Sequence, residues 1–214
     1  MRIVMNKVRQ GDDPRITTSV LENEWSLIER IVRKTKPLLE KNLENCKVIS
    51  DRIRLLDLFP KNSVCAELGV AHGAFAELIL EKTSPKKLHL IEKEEELCKD
   101  LREMFKSITS IEVHKGYSYE ILEGFPDQYF DWVWVDSEHD YETTKKELDL
   151  CKNKVKEEGL IGLHDYIWGD FVYKTRYGVI EAVNNFCLEE NYEIIYLTLE
   201  YHMYNTVVLR RMGG

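Results

Sequence analysis

The sequence predicts an α/β fold: a doubly wound, mostly parallel seven-stranded sheet, helices on both faces, a terminal antiparallel hairpin and two extra N-terminal helices. Three observations carry this. From Ser63 onward, short apolar runs alternate with segments of helical period. The first run, around Val64-Cys65-Ala66-Glu67-Leu68, passes through a turn punctuated by Gly69 and Gly73 into the helical pattern Ala74–Leu80, the strand–turn–helix unit that opens such sheets. The last two runs are joined by a short polar loop, which favours a hairpin.

The elements follow in order. Residues 1–18 read as an irregular lead. Ser19 and Glu22 make a capping box for a helix with Leu21, Trp25, Ile28 and Val32 on one face, and Pro37 interrupts the pattern. A second helix is expected from Val48 to Phe59, with Ile49, Ile53 and Leu56 on one face and Pro60 as its stop. Strands are expected at 63–68, 87–92, 111–115, 131–136, 160–165, 192–199 and 205–210, with helices at 73–82, 94–106, 141–156 and 177–190. Residues 1–60 thus read as a helical extension that covers the ligand edge or forms a dimer contact, and 61–214 as the ligand-binding domain.

Hydrophobic residues make up 43% and charged residues 32% of 214, the balance of one globular domain with a full core. A net charge of −8 speaks against nucleic acid as a partner, because phosphate binding needs clustered Lys and Arg. No apolar stretch is long enough to span a membrane, and no hydrophobic segment follows the basic residues of Met1–Arg9, so neither a membrane anchor nor a secretory leader is expected. Cysteines 46, 65, 98, 151 and 187 lack C-x-x-C spacing. That argues against a zinc site or disulfide framework and for a reducing, cytoplasmic location.

Ligands bind doubly wound sheets beyond the carboxyl ends of the strands. Gly69 and Gly73, lacking a Cβ, are expected to let a ligand approach the backbone there. The dinucleotide fingerprint is absent: its three glycine places hold Glu67, Gly69 and His72. A carboxylate at Glu67 suits a cationic or hydroxyl-bearing ligand. Glu92, after the second strand, either accepts from ribose hydroxyls or is a solvated charge opening the run Glu92–Glu96. The fourth and fifth strand ends bring Asp136, His139, His164 and Asp165 towards one edge. His164 reads equally as a satisfied core histidine.

Glu67-Leu68-Gly69-x-x-x-Gly73 resembles the first motif of class I S-adenosylmethionine-dependent methyltransferases. With the later motifs, the chain is similar to the catechol O-methyltransferase-like and macrocin O-methyltransferase-like branches, from about Ser63 to Arg210. The resemblance implies S-adenosylmethionine bound by Glu67, Gly69, Ala71, Gly73, Glu92, Tyr117, Ser118 and Asp136. Tyr117 stands where the family often has Asp or Ala; its ring either covers the adenine or packs. Asp136 and Asp165 stand where the catechol-type enzymes hold a divalent metal. Tyr166 replaces a third oxygen ligand, and a neutral phenol is a poor one for Mg²⁺. His139 falls near the family's catalytic lysine and is the first candidate for the base, beside Asp136 and His164.

The expected reaction is O-methylation of a small hydroxylated acceptor, such as a sugar, a glycosylated metabolite or a phenol. N-methylation and non-catalytic binding are the alternatives; the glycine pattern disfavours a nicotinamide oxidoreductase. The acceptor pocket is expected in 165–176 and its aromatic neighbours Tyr166, Trp168, Phe171, Tyr173 and Tyr177. A homodimer through the N-terminal helices is the expected assembly.

Overall fold

The computed structural model describes residues 35–170 and 174–213. The helix expected over 21–32 lies outside them, as do Phe171 and Tyr173. Residues from Lys36 onward form one compact unit, so 36–60 share a body with the sheet.

A short 3₁₀ turn at Glu40–Asn42 begins it. Asn42 is fully buried and its amide donates to the carbonyls of Cys187 (3.2 Å) and Tyr192 (2.7 Å). The single helix expected over Val48–Phe59 is instead a strand and a short helix. Strand β1 is Lys47–Ile49, and helix α1 is Arg52–Leu56. Two local causes separate them. β-branched Val48 and Ile49 pair with a later strand, and Asp51 caps α1 by accepting from the Arg54 N–H at 2.8 Å.

The rest alternates strand and helix: β2 Val64–Leu68, α2 Ala74–Thr83, β3 Lys87–Glu92, α3 Glu95–Met104, β4 Ile111–Lys115, α4 Ser118–Glu123, β5 Phe130–Val135, α5 Tyr141–Lys154, β6 Val155–Leu163, the small hairpin β7 Gly169–Asp170 and β8 Thr175–Arg176, α6 Val179–Glu189, β9 Tyr192–Thr198 and β10 Val207–Arg211; α4, β7 and β8 go beyond the expected elements, and β6 begins inside the helix expected over 141–156. Among the described residues the main sheet has eight strands rather than seven, in the order β1-β9-β10-β6-β5-β2-β3-β4, and only β10 runs antiparallel to its neighbours.

Central strands of such a sheet are covered on both faces and read as apolar throughout. Phe130, Trp132, Val133 and Trp134 of β5 are all fully buried. One face carries a core with Phe130, Val133 and Phe186; the other packs Trp132 and Trp134 against Phe59 and Phe75. The chain runs outward from β2 through β3 to β4, then returns to β5 on the other side of β2. That reversal opens a crevice above the carboxyl ends of β2 and β5. All five cysteines are free. Among the described residues no helix is long and apolar enough to cross a membrane.

Candidate functional site

The turn after β2 is built on left-handed backbone: Gly69 at φ +80°, Ala71 at +50° and Gly73 at +82°. The glycines also serve packing. A Cβ on Gly69 would stand 2.2 Å from the Asp136 carbonyl oxygen, and one on Gly73 would stand 2.9 Å from Leu101. The turn also has a clamp that the sequence did not reveal. One oxygen of Glu92 accepts from the N–H groups of Val70 (3.1 Å) and Ala71 (2.9 Å), and the other accepts from those of Lys93 (2.8 Å) and Glu94 (3.0 Å).

Above this turn lies a cavity of about 560 Å³. Of the expected cofactor residues, Glu67, Gly69, Ala71, Glu92, Tyr117, Ser118 and Asp136 line it. Gly73 does not; its Cβ side faces α3. Glu67 is 1% exposed, and its Oε2 has no hydrogen-bond partner among the described residues. Burial holds its pKa well above the carboxylate range; the nearby charge of Asp136 raises it further, and Arg52 eases it. An unpaired buried carboxyl at a cavity wall suits a ligand that brings positive charge. The sulfonium and amino groups of S-adenosylmethionine meet that requirement.

Arg52 is a site residue hidden from the sequence within the expected helix. Its guanidinium lies 3.8 Å from Asp136 Oδ2 and over the Phe75 ring at 5.0 Å. Lys93 and Glu138, also cavity-lining, form an ion pair. Ser118 and Ser137 both donate to Glu147, a fully buried carboxyl on α5. Burial pushes Glu147 up to about 7, eased by the two serine hydrogen bonds. The Ser118 hydroxyl is therefore committed inward. Tyr117 is half exposed and stacks on Tyr119, with centroids 5.6 Å apart.

At the far end of the cavity, His139 Nε2 stands 3.0 Å from Asp136 Oδ1 and 3.2 Å from Asp165 Oδ2. Asp136 follows β5 directly, and its N–H donates to the Leu68 carbonyl at 2.9 Å. His139 and Asp165 both adopt left-handed backbone, at φ +60° and +57°. Tyr177 stacks on the His139 ring at 4.8 Å and 28°. Burial opposes charge on His139, but the hydrogen bond and charge of Asp136 and the charge of Asp165 outweigh it and raise its pKa. Burial pushes Asp165 up to about 6, eased by His139. Asp136 and Asp165 thus favour the protonated imidazole. The same three groups, with ligand atoms all within 4.8 Å of one another, fit a divalent cation through one nitrogen and two oxygens.

His164 sits behind this cluster. It is 8% exposed, shares a hydrogen bond with the Thr206 hydroxyl at 3.0 Å through Nδ1, and places Nε2 3.3 Å from Asp165 Oδ1. Burial drops its pKa to about 4. Among the described residues His139, but neither His164 nor Asp165, lines the cavity. Tyr166 also turns away: it is largely buried and donates to Asn184 at 2.6 Å, so it belongs to neither a metal site nor an acceptor pocket. Trp168 is 37% exposed, next to the β7–β8 hairpin.

A methyltransferase domain model matches residues 66–166, which span the β2 turn, Glu92, Asp136, His139 and Asp165. No curated protein sequence matches the chain. Several solved structures share its fold. M. jannaschii TYW2, in complex with AdoMet, aligns with TM-score 0.52 at 18% identity over 83% of this chain and 79% of its own. The B. subtilis m1A22 tRNA methyltransferase TrmK gives 0.56 at 16% over 77% and 67%. The precorrin-6y C5,15-methyltransferase of Geobacter metallireducens gives 0.56 at 12% over 75% and 85%.

Proposed function

The chain carries a methyltransferase domain on the class I, S-adenosylmethionine-dependent fold, and from that premise we propose that it methylates a hydroxyl of a small acceptor with the help of a divalent cation. The observation that carries this reading is His139 held between Asp136 and Asp165 at the end of the cavity.

Bound S-adenosylmethionine supplies an electrophilic methyl group on a positively charged sulfur. Glu67 would face that charge, and the β2 turn, which Glu92 holds in shape, would bind the ribose end. A hydroxyl acceptor loses its proton as the methyl arrives. The carboxyl groups on either side raise the pKa of His139 and so favour its protonated form, which does not act as a base. Asp136, His139 and Asp165 would hold a divalent cation, which would supply a lowered pKa for an acceptor hydroxyl beside it. Arg52 and His164 position the two carboxylates. The acceptor would lie against Tyr177, which stacks on His139, and against its neighbour Trp168, whose carbonyl accepts from the Tyr177 N–H at 3.0 Å. The protein acts in the cytoplasm on a small molecule, without nucleic acid or membrane.

The test combines three measurements: mass spectrometry of the purified protein for carried-over S-adenosylmethionine or its demethylated product, methyl transfer to a panel of sugars and phenols with and without chelator, and KM for the best acceptor in Tyr177→Ala and Trp168→Ala. The reading requires chelator-sensitive transfer to oxygen and a higher acceptor KM with unchanged cofactor affinity. Transfer only to nitrogen, or full activity in chelator, sinks it.

A further inference from the structure

β3 and β4 bring a second group of ligating side chains together, outside the cavity. His89 on β3 pairs in register with Glu112 on β4, and Ile91 pairs with His114, so the two histidines and the glutamate share one face of the sheet. His89 is buried, Glu112 is half exposed and His114 lies between. His89 Nδ1 stands 2.9 Å from His114 Nε2; the Glu112 oxygens stand 4.0 Å from the first nitrogen and 3.8 Å from the second.

Two imidazole nitrogens aimed at each other, with a carboxylate beside them, are the donor set of a borderline cation. A tetrahedral zinc ion with ligands about 2.0–2.1 Å away sets them about 3.3 Å apart. The nitrogens need to part by only about 0.4 Å for that, and the exposed Glu112 carboxylate swings inward by a similar amount. An outer partner is in place: His89 Nε2 lies 3.2 Å from the Tyr129 hydroxyl. With Nε2–H donating to Tyr129, Nδ1 is left bare for a metal. Phe125 packs edge-on against both rings, at 4.8 and 5.5 Å, and fixes their planes. Burial lowers the pKa of both histidines, that of His89 to about 4, so both are neutral ligands at pH 7. Lys87 is the opposing group. Its ammonium sits 2.8 Å from Glu112 Oε2, which leaves Oε1 for an ion; its own partial exposure lets it turn to solvent. Cysteine spacing spoke against zinc in this chain, but these ligands are imidazoles, and no sequence spacing announces a pair made across two strands.

We propose that His89 Nδ1, His114 Nε2 and Glu112 Oε1 bind one zinc ion, with water completing the tetrahedron, and that the ion staples the edge strand β4 to β3. The ion adds to folded-state stability with the logarithm of its free concentration over its Kd.

The experiment uses the full chain carrying Asp136→Asn and Asp165→Asn, which disables the other cation cluster. After chelator treatment it is titrated with zinc alone, by calorimetry, with the thermal midpoint followed in parallel. One equivalent should bind and raise the midpoint. Adding His114→Gln or Glu112→Gln, both at accessible positions, should weaken zinc at least about tenfold, the smallest cost of losing even an outer partner. Circular dichroism checks that each variant is folded. No zinc uptake by the parent, or undiminished uptake in either folded variant, overturns the site and leaves a His–His hydrogen bond in its place.

Discussion

Gly69 rests against Asp136 so closely that a Cβ on it would stand 2.2 Å from the Asp136 carbonyl oxygen. The contact joins the first strand–helix turn to the β5 end that carries Asp136 and His139. Gly69→Ala must therefore move one strand end or the other, besides placing alanine at φ +80°. We expect a loss of about 2 kcal/mol or more in urea unfolding, together with lost cofactor binding. Wild-type stability in this variant would show that the two strand ends are not coupled through the contact.

Glu67 gives a pH dependence of binding. Its folded-state pKa is raised, so the protein without ligand keeps Glu67 protonated to higher pH than a free carboxylate. A cationic ligand favours the ionised form, and binding must then release a proton. S-adenosylmethionine affinity should rise with pH until Glu67 is ionised without ligand. Glu67→Gln should abolish that slope and weaken binding about tenfold or more. Calorimetry at several pH values, in buffers of different ionisation enthalpy, reads both quantities. Equal slopes in the two proteins would reject the role of Glu67.

The cation cluster predicts the same sign for a different reason. The raised pKa of His139 means that a proton must leave before a metal enters. Mn²⁺ affinity should fall about tenfold for each pH unit below that pKa, and faster once Asp165, at about 6, begins to protonate. Asp165→Asn should remove most of the binding. Mn²⁺ titrations at pH 6, 7 and 8 that give one affinity would exclude these ligands.

Glu147 bears on stability. Its folded pKa is about 7, above that of a free carboxyl, so its protonated form is the one the fold favours. The contribution is fully present below the unfolded pKa and is lost as pH rises from there to about 7. The loss amounts to roughly 3 kcal/mol. Glu147→Gln should flatten the stability profile between pH 5 and 7 and leave the protein at least as stable as wild type at pH 8. A variant whose denaturation midpoints keep the wild-type pH slope would contradict this.

The sequence made much of this legible for a physical reason. Strands buried on both faces must be apolar throughout, so β2, β3, β5 and β9 stand out as runs, and acids at their ends stand out against them. That exposed Glu67, Glu92, Asp136 and Asp165. β1 was illegible because its three residues sit inside a helix-period pattern set by Ile49, Ile53 and Leu56. Only pairing with β9 overrides that pattern. Arg52 was lost with it. Glu147 looks like any charged position on an amphipathic helix, and only the packing of α5 against the turns carrying Ser118 and Ser137 reveals it as buried. His164 was an open choice for the opposite reason: a histidine at a strand end looks the same whether it faces a cavity or backs a carboxylate.

The four N–H groups gathered by Glu92 have a thermodynamic consequence. Fixing the backbone of a flexible loop costs about 1–2 kcal/mol per residue. Here the fold itself orders Val70, Ala71, Lys93 and Glu94, so the disorder is removed once, when the chain folds, and not again at each turnover. Arrival of the ligand at this end of the cavity then resembles docking into a rigid mould, and the heat and entropy of binding reflect displaced water more than a segment becoming ordered.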